Sequence, residues 1–65
     1  MKKIYTFIMV NGDKIVCEKE NYNEAESGDE FLVYKQATTF RNGALTVHDI
    51  HINLQHILYS YVDEI

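Results

Sequence analysis

Asn-Gly occurs twice in this chain, at Asn11-Gly12 and Asn42-Gly43, and each pair stands between two apolar runs. Both residues tolerate the positive φ of the tight turns that join antiparallel strands, which makes this the strongest short-range hairpin signal. There is no proline and no Gly/Ser-rich tract to break or link such hairpins. The 65 residues leave room for one domain, 1–65. Ordering it costs on the order of 100 kcal/mol at roughly 1.5 kcal/mol per residue. A core this small barely offsets that cost, and domains of this size often lean on a disulfide, a metal or a second chain.

The first apolar run, 4–10, is rich in β-branched and aromatic residues and reads as a strand. It returns through 14–17. A two-residue turn sets Ile8 opposite Ile15 and Phe7 opposite Val16, whereas a three-residue loop over 11–13 sets Met9 opposite Ile15 and Ile8 opposite Val16. A one-residue slip exchanges the faces, and the residues leave both registers open. Alternation places Tyr5, Phe7 and Met9 on one face, and Ile4, Ile8 and Val10 on the other. Both faces are apolar, so the strand is either central in a closed barrel or meets another chain on its outer side.

Residues 31–40 read as a second long strand, 44–52 as its return, and 57–62 as the last strand. Val47, Ile50 and Ile52 are the expected core contacts of the return strand. Between the last two strands, residues 53–56 form a tight turn in which the Asn53 side chain caps freed backbone amides.

The segment 18–30 differs in character. Glu18, Glu20, Glu24, Glu26, Asp29 and Glu30 face only Lys19, for a segment charge of −5 in a chain whose net charge is −4. Asn23 with Glu26 fits a capping box and Gly28 a helix stop, which favours a short helical turn near 22–27 over a plain polar loop.

Hairpin, acidic loop, hairpin, turn and strand make a mostly β chain of five strands. Curling such a sheet into a small open barrel buries one face and limits exposed edges. The run Ile52-Asn53-Leu54-Gln55-His56-Ile57 resembles a signature of SH3-like and Sm-like barrels: an apolar strand, an Asn-Leu turn, then an Ile-led strand. About half of the chain resembles small proteins of this kind from Gram-positive bacteria and their phages. Residues 7–16 echo the first Sm motif. The glycine that should follow is missing, and acids stand at Glu18 and Glu20 where that family contacts RNA. The resemblance therefore implies the barrel and no RNA-binding residues.

Chemistry-bearing motifs are sparse. Zinc needs convergent imidazoles or thiolates. Residues i and i+3 of a regular strand diverge, so His48 and His51 are expected to point apart as half-exposed strand histidines. Cys17 lies between Val16 and Glu18 with no cation beside it, and reads as a buried hydrophobic thiol. A lone cysteine also fits a reducing compartment. The longest apolar run, 7–10, is too short to span a bilayer, and no apolar leader opens the chain. These features lead us to expect a cytoplasmic protein that is no enzyme and uses no cofactor or metal.

Tyr59 and Tyr61 share one face of the last strand, with Ile57 beside them by alternation. Tyrosines on a β-surface stack nucleobases or anchor protein interfaces. A base-stacking platform comes with a basic groove, and this chain is acidic, with pI near 5.1. The expected function is thus a small acidic protein-interaction module. Its partner is expected to be a basic protein, met by Glu18, Glu20, Glu24 and Glu26 on a negative rim and by Tyr59 and Tyr61 as anchors. An inhibitor from a phage or mobile element fits, because a negative rim can occupy a basic nucleic-acid site. A single-stranded nucleic-acid-binding barrel is the alternative, and a structural, oligomer-forming role the third reading. The two-sided first strand gives a further expectation, a homo-oligomer.

Overall fold

In the computed structural model, which describes residues 2–65, the first hairpin closes in neither expected register. Strand β1 (Lys3–Met9) pairs with β2 (Lys14–Glu18) so that Phe7 faces Ile15 and Ile8 faces Lys14. The turn starts earlier than Asn11. Gly12 N–H donates to the Met9 carbonyl, Met9 N–H donates to the Asp13 carbonyl, and Gly12 sits at φ +94°. This is a three-residue loop, 10–12, with glycine in the left-handed position that such loops require. Asn11 Oδ1 accepts from Asp13 N–H and braces the loop. Val10 is therefore an exposed turn residue and not part of the outer strand face.

After β2, a 3₁₀ turn (Lys19–Asn21) leads into the acidic loop. The helical turn expected near 22–27 is a single closed turn that goes no further. Ser27 N–H donates to the Asn23 carbonyl, and the Ser27 hydroxyl donates to the same oxygen at 2.8 Å. That hydroxyl also accepts from Val33 N–H at 2.9 Å. Ser27 thus ties the loop to the next strand, a role no capping pattern announced.

The second hairpin matches expectation. Strand β3 (Phe31–Phe40) returns as β4 (Ala44–Asn53), with Asn42 at φ +57° and Gly43 at φ +131° between them. A 3₁₀ turn (Leu54–His56) follows, and Asn53 Oδ1 accepts from Gln55 N–H at 2.9 Å. Strand β5 (Ile57–Glu64) then pairs antiparallel with β1. The result is one five-stranded antiparallel sheet in the order β4-β3-β2-β1-β5, and the described residues hold no α-helix.

The sheet is curled. Phe7 on β1 and Tyr34 on β3 have ring centroids 6.1 Å apart, although β2 lies between their strands. Flat strands two apart are separated by roughly 9.5 Å. The concave side gathers Phe7, Ile15, Cys17, Tyr34, Ala37 and Ile52 into the core. Tyr22, from the loop, closes on Tyr34 at 5.1 Å.

Strict alternation fails in the middle of the β3–β4 ribbon. Tyr34 and Ala37 are both buried, and Val47, Ile50 and Ile52 all pack against the core, so the inward phase slips by one residue on each strand. Asp49, at φ +54°, sits at the slip between the paired residues Tyr34–Ile50 and Gln36–His48, level with the exposed Lys35. This corrects the histidine geometry. With Val47 and Ile50 both inward, His48 and His51 both turn away from the core instead of diverging. His51 stacks on Phe31 at 5.5 Å.

Candidate functional site

The cross-strand register lays out the convex, outer face row by row. One row runs Tyr59, Ile8, Lys14, Phe40; the next runs Tyr61, Thr6, Val16, Thr38; the third runs Asp63, Ile4, Glu18. Thr6 is buried between its neighbours, yet Tyr59 and Tyr61 are 56% and 42% exposed and Phe40 is also open to solvent. Lys14 Nζ lies 5.5 Å from the centre of the Phe40 ring, a cation–π contact at the basic end of the face. The expectation that both faces of β1 are apolar holds for Ile4 and Ile8. Only the inner side is covered by the core.

Ile57 does not share the tyrosine face. The β1–β5 register shifts between Ile8 and Met9, so that Tyr59 faces Ile8 but Ile57 faces Met9. Leu58 is the extra residue. This bulge turns Ile57 inward against the core and leaves Tyr59 and Tyr61 outside.

The rim acids divide into two groups. Glu18 and Glu20 line a recess of ≈ 290 Å³ with Ile4, Val16, Gln36 and Thr38, which puts them at the border of the outer face. They also line a second recess of ≈ 380 Å³ with Lys2, Lys3 and Lys19. Glu24 and Glu26 are exposed in the 22–30 loop, and neither of these recesses includes them. The structure therefore groups Glu18, Glu20, Tyr59 and Tyr61 on one side of the sheet, and sets Glu24 and Glu26 on a separate loop. The nearby ion pairs, Lys2–Glu18 and Lys3–Glu64, are both 3.9 Å long between well-exposed side chains and contribute little.

Arg41 is engaged elsewhere. Its guanidinium grips Asp13 with bonds of 2.7 and 2.8 Å, bridging the two hairpin loops. That grip holds the Asp13 carboxyl below its ordinary range. Cys17 is fully buried and burial pushes its thiol up to about 12, so it is no thiolate near neutral pH. Burial likewise raises the Tyr34 phenol, with Cys17, Tyr5 and Tyr22 adding to it. Among the described residues no three His, Cys, Asp or Glu side chains converge as a metal site, and no helix is long and apolar enough to cross a membrane.

Sequence reasoning named the tyrosines but missed Lys14 and Phe40 as members of this face. Their signal was the hairpin register, which pairs Lys14 with Ile8 and Phe40 and which the sequence left open. No family model, curated protein or solved structure matches this chain.

Proposed function

We propose that this chain is a protein-interaction module that binds its partner on the outer face of the sheet. The observation that supports it is the uncovered apolar face of β1, continued by Tyr59 and Tyr61 on one side and by Val16 and Phe40 on the other. Rigid, amphipathic tyrosines are enriched among the anchors of such surfaces. Glu18, Glu20 and Asp63 border the face, and a basic partner is favoured in approach by that border and by the charge of the 18–30 segment. An inhibitor that occupies the nucleic-acid site of a basic protein fits the same chemistry. Direct nucleic-acid binding fits less well, because Lys14 is the one cation in the three rows and Arg41 is tied to Asp13. The buried, unreactive Cys17 suits a reducing, cytoplasmic setting.

The fold is read here as an SH3-like or Sm-like open barrel. The strand order β4-β3-β2-β1-β5, the curl and the single 3₁₀ turn before β5 support that reading.

The test is kinetic. Partners captured by the wild type are identified, purified and re-bound to three double variants. Tyr59→Ser with Tyr61→Ser should raise the dissociation rate about tenfold or more, as loss of central anchors does. Glu18→Lys with Glu20→Lys should lower the association rate at low salt, and Glu24→Lys with Glu26→Lys should lower it less while leaving the melting temperature nearly unchanged. Unchanged binding by the tyrosine variant, or capture of single-stranded RNA or DNA at physiological salt in place of protein, would refute the proposal.

A further inference from the structure

The free edge of β5 is unprotected. The stretch Leu58-Tyr59-Ser60-Tyr61-Val62 carries no charge, proline or glycine, and its side chains are exposed on both faces of the sheet. Folded proteins ordinarily blunt such an edge with a charge, a proline or a twist. The opposite edge, β4, has such features in Asp49 at φ +54° and the outward His48 and His51. On β5 the bulge touches only the Leu58 end.

The hydrogen-bonding groups of this edge can be assigned. Lys2 and Ile65 exchange both backbone bonds, at 2.8 and 2.9 Å. In an antiparallel ladder such pairs alternate along the strand. Asp63, Tyr61 and Tyr59 therefore bond to β1, and the N–H and C=O of Ser60 and Val62 point away from the sheet into solvent.

We propose that a second copy of this chain pairs with this edge, β5 against β5, around a two-fold axis at Ser60. The sequence is self-complementary about that residue. Ser60 faces its own copy at the axis. Tyr59 faces Tyr61 of the second copy on the outer side, and Leu58 faces Val62 on the inner side, two apolar cross-strand pairs repeated by symmetry. Asp63 falls beside Ile57 at the end of the pairing, and Glu64 falls beside His56, so no two carboxylates meet. A shift of two residues one way brings Asp63 against Tyr59. A shift the other way sets Val62 against His56 and Leu58 against Ser60, and the inner apolar pairs are lost.

The pairing also supplies a neighbour for the inner side of β5. A recess of ≈ 380 Å³ opens there, lined by Tyr5, Phe7, Leu32, Ser60 and Val62 among others. Leu58 of the second copy arrives beside Val62 at its rim. The outer face stays open, and its tyrosines become a continuous strip of four across the two chains. The tyrosines serve both contacts, but the Ser60 variants remove the pairing and leave Tyr59 and Tyr61 in place on each chain, so failure of dimerisation is distinguishable from failure of binding on the outer face.

The test uses the full chain. The contact is one strand wide, at the small end of interface sizes, so the mass in sedimentation equilibrium should climb from 7.6 kDa toward twice that between about 1 and about 100 µM. Ser60→Pro removes an N–H that faces solvent in the single chain, so the ladder to β1 survives and the protein should stay monomeric throughout. Ser60→Lys, which sets two ammonium groups at the axis, should weaken the dimer about tenfold or more and does not depend on how a proline is tolerated. Ser60→Cys should cross-link to its own copy under mild oxidation, whereas Tyr61→Cys alone should not. A wild type that remains at 7.6 kDa, a dimer that both Ser60→Pro and Ser60→Lys leave intact, or cross-linking by Tyr61→Cys in place of Ser60→Cys would overturn the proposal.

Discussion

Strand β4 runs ten residues against β3 and sends Val47, Ile50 and Ile52 into the core, whereas β5 runs eight residues against β1 and buries none of them completely. Both are edge strands of the same sheet. Most of the apolar content of β4 is directed inward, at the cost of a left-handed Asp49, and among its large apolar residues only Leu45, beside the hairpin loop, is left exposed, at 63%. That of β5 lies on the surface, with Leu58 and Val62 at 64% and 51% exposure. Equal hydrophobicity in two strands therefore carries different meaning. In β4 it stabilises the domain; in β5 it is left for contact with something else.

The widest gap between the two edges should appear on truncation. Ile52→Ala removes a side chain that is 1% exposed and should cost about 3 kcal/mol in urea unfolding of dilute protein. Leu58→Ala should fall within about 0.5 kcal/mol of wild type. Similar losses at both positions would erase the distinction.

Asp49 sharpens the comparison at an intermediate scale. A non-glycine residue at φ +54° stores strain, and a β-branched one stores more. Asp49→Val should destabilise the fold by about 1–2 kcal/mol, and Asp49→Gly should be neutral or stabilising. If valine is tolerated as well as glycine, the phase slip in β4 is not fixed by this residue.

A smaller effect is expected at the loops that join β1 to β2 and β3 to β4. Arg41 lowers the Asp13 carboxyl in the folded state relative to the unfolded chain. The resulting stabilisation is present above the unfolded carboxylate range and fades as pH falls through the lower, folded value. Arg41→Ala should therefore lower stability slightly at pH 7 and flatten the acid limb of the profile, so that variant and wild type converge as pH falls below about 4. Both groups are solvent-exposed, so added salt should shrink the difference.

Much of this fold is legible in the residues. Asn42-Gly43 fixed the second hairpin, because a three-residue loop with two positive φ angles has few other occupants. Asn53 announced the turn that it caps. The register of the first hairpin was hidden because the turn borrows Val10, an apolar residue that looks like strand. Two irregularities were hidden for the same reason. The slip at Asp49 and the bulge at Leu58 each break period-two alternation without a glycine to mark them. The first brings His48 and His51 to the same side, and the second separates Ile57 from the tyrosines. The candidate site was half legible: Tyr59 and Tyr61 were visible as a pair. Their distance from Glu24 and Glu26 depends on where the loop folds, and Ser27 decides that by bonds to Asn23 and Val33.

Amide hydrogen exchange along β5, compared at about 5 µM and about 500 µM, tests most directly whether this edge is a surface built for pairing. Tyr59 and Tyr61, whose N–H groups bond to β1, should be protected alike at both concentrations. Ser60 and Val62, whose N–H groups face solvent in the single chain, should exchange freely in dilute solution and slow about tenfold or more in the concentrated sample. Free exchange of Ser60 and Val62 at both concentrations would show that β5 is merely an exposed edge.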